Sequence, residues 1–149
     1  YTKVFTFANT DAEGIQINAL IEDFCAQNPN AHCFPSLGQL RYLSMLKIGS
    51  GVIGNSSSGL LEAPSLNIPT LNIGNRQKGR LLANSIISCE NDYQSIKAGL
   101  ELMQDKWVEL QDGGSENPYA YPHAPENIVK VLKEYSWERL SESKKFFDV

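Results

Sequence analysis

Residues 52–80 read VIGNSSSGLLEAPSLNIPTLNIGNRQKGR, and the succession of residue types along them decides the fold. Val52 and Ile53 are a short β-branched run, GNSSSG interrupts it from Gly54 to Gly59, and Leu60 to Leu66 reads as helix until Asn67 and Pro69 end it. Thr70 to Ile73 is a strand again. A strand, a glycine-and-serine loop, a helix and a further strand make a βαβ unit, whose crossover requires its two strands to run parallel.

The same period extends in both directions. Upstream, Val4 to Phe7 is a strand-like run, followed by Ile17, Leu20, Ile21, Phe24 and Cys25 at the spacing of one helix face. His32 to Phe34 is a weaker strand, and Leu40, Leu43, Leu46 and Lys47 mark a second helix. Downstream, Ile86 to Ser88 is a fifth strand, with Ile96, Leu100 and Met103 along the helix after it. Short strands alternating with helices predict an α/β fold: a doubly wound, Rossmann-like parallel sheet covered on both faces. From Gln111 to Pro125 the chain is a polar, proline-rich connection. Ile128, Val131, Leu132 and Tyr135 then form a helical stripe, and Trp137, Leu140, Lys144 and Phe147 predict a terminal helix over 136–149 that leaves the sheet. The expectation is one domain over residues 1–149.

With 42% apolar residues in 149, the chain has enough material for one core. A net charge of −4 provides no broad cationic surface for nucleic acid or an anionic membrane, and neither is expected as a partner. Cys25, Cys33 and Cys89 have neither pairing nor metal-ligand spacing, which fits reduced thiols in the cytoplasm and no metal site. No run reaches the roughly 18 apolar residues of a spanning helix, and no secretion signal opens the chain. Without one, the glycosylation acceptor Asn55–Ser56–Ser57 carries little weight. YTKVFTFA enters a strand-like run at once, as expected of a piece of a longer protein.

Ligands of open parallel sheets bind beyond the carboxyl ends of strands, where the first N–H groups of the next helix lack intrahelical partners. GNSSSGLLE, from Gly54 to Glu62, lies at such a place. Ser56, Ser57 and Ser58 would add hydroxyl donors, Gly59 would admit close backbone approach, and the positive end of the helix dipole suits a diphosphate. Plain helix capping by Asn55 or a serine uses the same residues as directly. Glu62 would repel a phosphate unless it serves another group, and the two ribose hydroxyls are such a group; a solvated helix-face glutamate is the alternative. After the next strand, NRQKGR gathers Arg76, Lys78 and Arg80 in one loop. The planar fork of arginine suits phosphate, and a solvated basic turn is the plainer reading. Asn9 and Asp11 follow the first strand, and either reach the same edge or cap the first helix. His32 and His123 stand alone and are read as structural. GSGVIG, from Gly49 to Gly54, matches a dinucleotide-binding string, but its glycines flank a strand instead of opening a helix, so they are read as a tight turn and no nucleotide cofactor is expected.

GNSSSGLLEAPSLNIPTLNIGNRQKGR, from Gly54 to Arg80, closely resembles the hydrolysing UDP-N-acetylglucosamine 2-epimerases of sialic acid biosynthesis. FANTDAEG (7–14), SLGQLRYLSMLK (36–47) and NPY (117–119) are similar to further segments of that family. The resemblance implies the C-terminal half of a two-domain enzyme of glycosyltransferase-B type, with UDP or a UDP-sugar as ligand and a missing N-terminal domain as partner; the apolar surface meant for that half, with part of Trp137 to Phe147, is expected to drive self-association into a homo-oligomer. It implies that Ser56 and Ser57 hold the diphosphate, Glu62 the ribose and Arg76 the phosphate side. Leu37 would contact the base through its backbone, Tyr42 would lie close to the base, and Asn9 would reach the ligand from the first loop. The family eliminates UDP across C1 and C2 and adds water to the glycal, releasing N-acetylmannosamine. Its acid–base carboxylates and histidine fall before Tyr1, so no catalytic residue is carried over. AYPHAP (120–125) stands where the family commonly has a GDG-like turn. A nucleotide-binding-only module and half of a retaining glycosyltransferase are the alternative readings.

Overall fold

The computed structural model describes residues 1–9 and 12–135. β1 (Lys3–Thr6) leads into α1 (Ala12–Gln27), β2 (Ala31–Phe34) into α2 (Gly38–Ile48), and β3 (Val52–Gly54) into the short α3 (Ser58–Leu61). β4 (Thr70–Ile73) and β5 (Ile86–Cys89) follow, then α4 (Tyr93–Gly113) and α5 (Ala124–Glu134). Every pairing is parallel, as the βα period requires: β1 with β2, β3 with β4, and β4 with β5. The hydrogen bonds join the strands as a pair, β1–β2, and a triplet, β3–β4–β5. The five expected strands are all present. The chain divides into two compact units, Tyr1–Asn117 and Pro118–Val149. The terminal helix expected over 136–149 lies outside the described residues.

The core is built around β4. Thr70 and Leu71 are successive strand residues and therefore point to opposite faces. A Cβ on Gly59 of α3 would meet Thr70 Cγ2 at 2.6 Å, and a Cβ on Gly99 of α4 would collide with the Leu71 side chain. One glycine on each side thus lets a helix close onto each face, which is the double winding in local form. Leu60, Leu71 and Leu110 are among the most deeply buried side chains.

The helix faces differ in detail from the apolar spacing. On α1, Ile17, Leu20 and Phe24 are exposed. The covered side runs through Gly14, Asn18, Ile21 and Cys25. Asn18 explains this: its side chain accepts from Ala8 N at 2.8 Å and donates to Ala8 O at 3.3 Å, pinning the exit of β1. On α4 the inward positions include Gly99, Met103 and Leu110, whereas Leu100 is exposed. On α2 only Leu46 is buried, and Leu40 is exposed.

Asp92 caps α4, accepting from Gln94 N and Ser95 N at 3.0 Å each. Hydrogen bonds from Ser95, side chain first and then backbone, hold its carboxyl below the usual aspartate range. A folded-state value below the unfolded one stabilises the fold above the unfolded value, and this contribution disappears as the pH falls through the folded value. Asp92→Asn is therefore expected to flatten the acid side of the stability–pH curve below about pH 4, measured by urea unfolding across pH. Gly99→Ala tests the close approach of α4. Helix propensity favours alanine by about 1 kcal/mol, but overpacking against buried Leu71 costs about 1–3 kcal/mol. Net destabilisation is expected, while Gly113→Ala, where a Cβ meets nothing within 4 Å, should not destabilise; urea midpoints decide both.

Candidate functional site

β3 ends at Gly54, whose φ of +146° is open essentially to glycine alone, and β4 is followed by Gly74 at φ +74°. Because Gly54 pairs with Asn72 in a parallel register, the loops that leave the two strands emerge side by side. Asn55 joins them. Gln77 Nε2 donates to the Asn55 carbonyl at 2.7 Å, and Arg76 Nη1 donates to Asn55 Oδ1 at 3.4 Å. Gln77 is buried, and its Oε1 has no hydrogen-bond partner among the described residues. Gln77 is not among the cations by which the loop is recognised in sequence. Its one sequence signal is a neutral amide set between Arg76 and Lys78.

The helix after the serine loop is shorter than expected. α3 makes a single turn, and Ala63–Leu66 is a 3₁₀ turn closed by Asn67 in the left-handed region at φ 56°. Pro64 has no N–H to continue an α-helical ladder, so the turn tightens there. A single turn has little dipole, and any attraction for an anion rests on nearby N–H groups and side chains instead. Ser57 sits at the N-cap position with no side-chain cap hydrogen bond. Ser56 Oγ accepts from Ser58 N at 3.4 Å. Gly59 is buried, and the close approach it permits here is that of Thr70, whose Oγ1 donates to the Gly59 carbonyl at 2.9 Å.

Glu62 lies where the α turn gives way to the 3₁₀ turn, with its N–H bonded to Ser58 O at 2.9 Å. This i,i+4 relation sets the two side chains on one face. Ser58 Oγ donates to Glu62 Oε2 at 2.5 Å, and Tyr42 Oη and Ser58 Oγ are also 2.5 Å apart. A hydroxyl has one proton to give, so Tyr42 is the donor in the second bond. Burial pushes the Tyr42 phenol above its ordinary value, and the Glu62 charge adds to the shift. The phenol therefore keeps its proton well past neutral pH. On the far side of the turn, Asn117 Nδ2 donates to Leu61 O at 2.9 Å and to Ser65 Oγ at 2.6 Å, bracketing Glu62. Asn67 and Asn84 hold the approach to Asn117 by accepting from Ser115 N at 2.9 Å and Ser115 Oγ at 3.1 Å.

Two clusters result: Asn55 with Arg76 and Gln77, and Tyr42 with Ser58 and Glu62. Asn9 is exposed beyond β1, Leu37 is the half-buried residue preceding α2, and Lys78 and Arg80 are exposed in the loop after β4. Among the described residues, no hydrogen bond ties the Asn9 or Arg80 side chain to either cluster. Asp11 lies outside the described residues. His32 is exposed on β2, and His123 precedes α5 with a left-handed φ of 58°.

The sequence profile of the family described as UDP-N-acetylglucosamine 2-epimerase matches residues 1–133. A polysialic acid biosynthesis protein P7 of Escherichia coli is 34% identical over 98% of this chain and 37% of its own length. A GDP/UDP-N,N'-diacetylbacillosamine 2-epimerase (hydrolyzing) of Campylobacter jejuni is 36% identical over 86% of this chain and 33% of its own length. Among solved structures, a Methanocaldococcus jannaschii UDP-GlcNAc 2-epimerase in complex with UDP-GlcNAc and UDP superimposes with a TM-score of 0.67 at 16% identity, over 89% of this chain and 35% of that one. The chain thus spans about a third of the length of these relatives.

The clamp at Asn55 is open to a direct measurement. Gln77→Leu removes the donor to the carbonyl of exposed Asn55, and one such hydrogen bond is worth about 0.5–1.5 kcal/mol. Lower stability and faster amide exchange across residues 55–58 are expected by hydrogen-exchange mass spectrometry; unchanged exchange there would mean that the serine loop holds itself.

Proposed function

The chain belongs to the UDP-N-acetylglucosamine 2-epimerase family, and on that premise we propose that it is the nucleotide-gripping C-terminal half of a hydrolysing UDP-sugar 2-epimerase. The missing N-terminal domain supplies the other wall of the cleft. The observation that carries this reading is the clamp at Asn55, which sets the serine loop and the arginine loop side by side at the carboxyl ends of β3 and β4. That is where an open parallel sheet receives a ligand.

In this reading Ser56, Ser57 and Arg76 hold the diphosphate, with Arg80 close by in the same loop. The Glu62 carboxylate accepts from the ribose hydroxyls, Leu37 and Tyr42 lie on the side of the base, and Asn9 reaches the ligand from the loop after β1. The reaction eliminates UDP across C1 and C2 of the sugar and adds water to the glycal. This half stabilises the charge that develops on the departing diphosphate. The general acid and base belong to the other domain, so the chain alone is expected to be inactive, and no metal or cofactor enters the step. The sugar pocket is shared with the other domain, which selects between N-acetylglucosamine and a diacetylated 6-deoxy relative. Ile17, Leu20 and Phe24, exposed on α1, support an association surface and hence a homo-oligomer. A cytoplasmic setting fits a nucleotide-sugar substrate, and among the described residues no helix is long and apolar enough to cross a membrane.

Calorimetric titration with UDP, UMP and uridine tests the site. Affinity should fall in that order, and equal affinity for all three would sink the diphosphate assignment. Arg76→Ala should weaken UDP by about 1.5–3 kcal/mol, the worth of a charged hydrogen bond, and leave uridine unchanged. In a two-domain enzyme carrying this half, Arg76→Ala and Ser57→Ala are each expected to lower turnover about 100-fold to 1000-fold.

A further inference from the structure

The Tyr42–Ser58–Glu62 chain crosses from α2 to α3 and has a feature that a direct ligand contact would not need: it runs in one direction. Tyr42 gives its proton to Ser58, Ser58 gives its proton to Glu62 Oε2, and the sequence ends on a carboxylate that only accepts. The Ser58 proton is therefore committed inside the protein and is not offered to a phosphate. Glu62 Oε1 accepts from none of the described residues. With one oxygen fixed, the plane of the carboxylate is set and the other oxygen is left to receive a ligand donor. All three residues are half-buried, where such bonds are screened less than on an open surface. Asn117 ties the Leu61 carbonyl and the Ser65 hydroxyl, one on either side of Glu62, so the side-chain relay is what governs its aim.

We propose that Tyr42 and Ser58 are positioning residues that orient the Glu62 carboxylate for a ribose diol, so that discrimination between ribonucleotide and 2′-deoxyribonucleotide is set in part by a phenol on a different helix. This rests on the reading that Glu62 holds the ribose. Ser58 accordingly moves from a diphosphate donor to a support of Glu62, and Ser56 and Ser57 remain as the diphosphate serines.

The test measures UDP and 2′-deoxy-UDP affinities calorimetrically for the unaltered chain and for Tyr42→Phe, Ser58→Ala, Ser58→Thr and Glu62→Gln. The unaltered chain should prefer UDP by about tenfold, the worth of one hydrogen bond to a charged group. Tyr42→Phe, which keeps the ring beside the base, and Ser58→Ala should each reduce that preference severalfold, read as the ratio of UDP to 2′-deoxy-UDP affinity, and Ser58→Thr, which keeps the hydroxyl, should restore it. Tyr42→Phe combined with Ser58→Ala should do no more than Ser58→Ala alone, because the links act in series. If Glu62→Gln abolishes the preference while Tyr42→Phe and Ser58→Ala leave it intact, the relay is overturned and the ribose assignment stands. Equal weakening of both nucleotides by Tyr42→Phe assigns it a merely structural role and also overturns the relay. Absence of any preference in the unaltered chain, with Glu62→Gln silent, overturns the ribose assignment and the relay together.

Discussion

The structure depends on how closely two helices approach β4. A strand buried on both faces needs each covering helix to come near enough to leave no void, and the space left by a missing Cβ at Gly59 and Gly99 allows that at Thr70 and Leu71. Thr70 is polar, yet its hydroxyl is spent on the Gly59 carbonyl, so the contact that closes the core also fixes the turn carrying Ser58 and Glu62. Core packing and site geometry are in this way one constraint. A shift of α3 against β4 would move the Glu62 carboxylate with it.

The site is assembled by side chains that reach across elements. Gln77 and Arg76 come from the loop after β4 and hold Asn55 in the loop after β3; Tyr42 comes from α2 and holds Ser58. Asn117, far along the chain, returns to fasten the turn around Glu62. Groups that look like ligand contacts thus divide into two kinds. Ser57 makes no side-chain cap hydrogen bond and Arg76 commits only one of its five donors, to Asn55, whereas Ser58 and Gln77 donate to other protein groups. Such internal bonds keep the outward-facing groups preorganised, which is worth more to binding than an additional loose donor.

The strands and the parallel architecture were legible in residues 52–80 and their neighbours, because β-branched runs separated by helical spacing have few other ways to bury themselves. The locations of the serine and arginine loops followed from that architecture, since a parallel sheet sends those loops to one edge. The helix faces were less legible. Of the apolar residues at helical spacing on α1, Ile21 and Cys25 lie on the covered side with Gly14 and Asn18, the last of which pins the exit of β1, whereas Ile17, Leu20 and Phe24 are exposed. On α4 a glycine at 99 faces the sheet where Leu100 was expected.

What the sequence determined by itself was therefore the order of elements and the chemistry available at each strand end. Only the tertiary structure decided which polar groups remain for a ligand. Ser58 is held from the neighbouring helix by Tyr42, sixteen residues before it, and the serine loop is held by the buried Gln77. No local pattern encodes those pairings, because a hydrogen bond between side chains on different elements exists only once packing has brought them within reach.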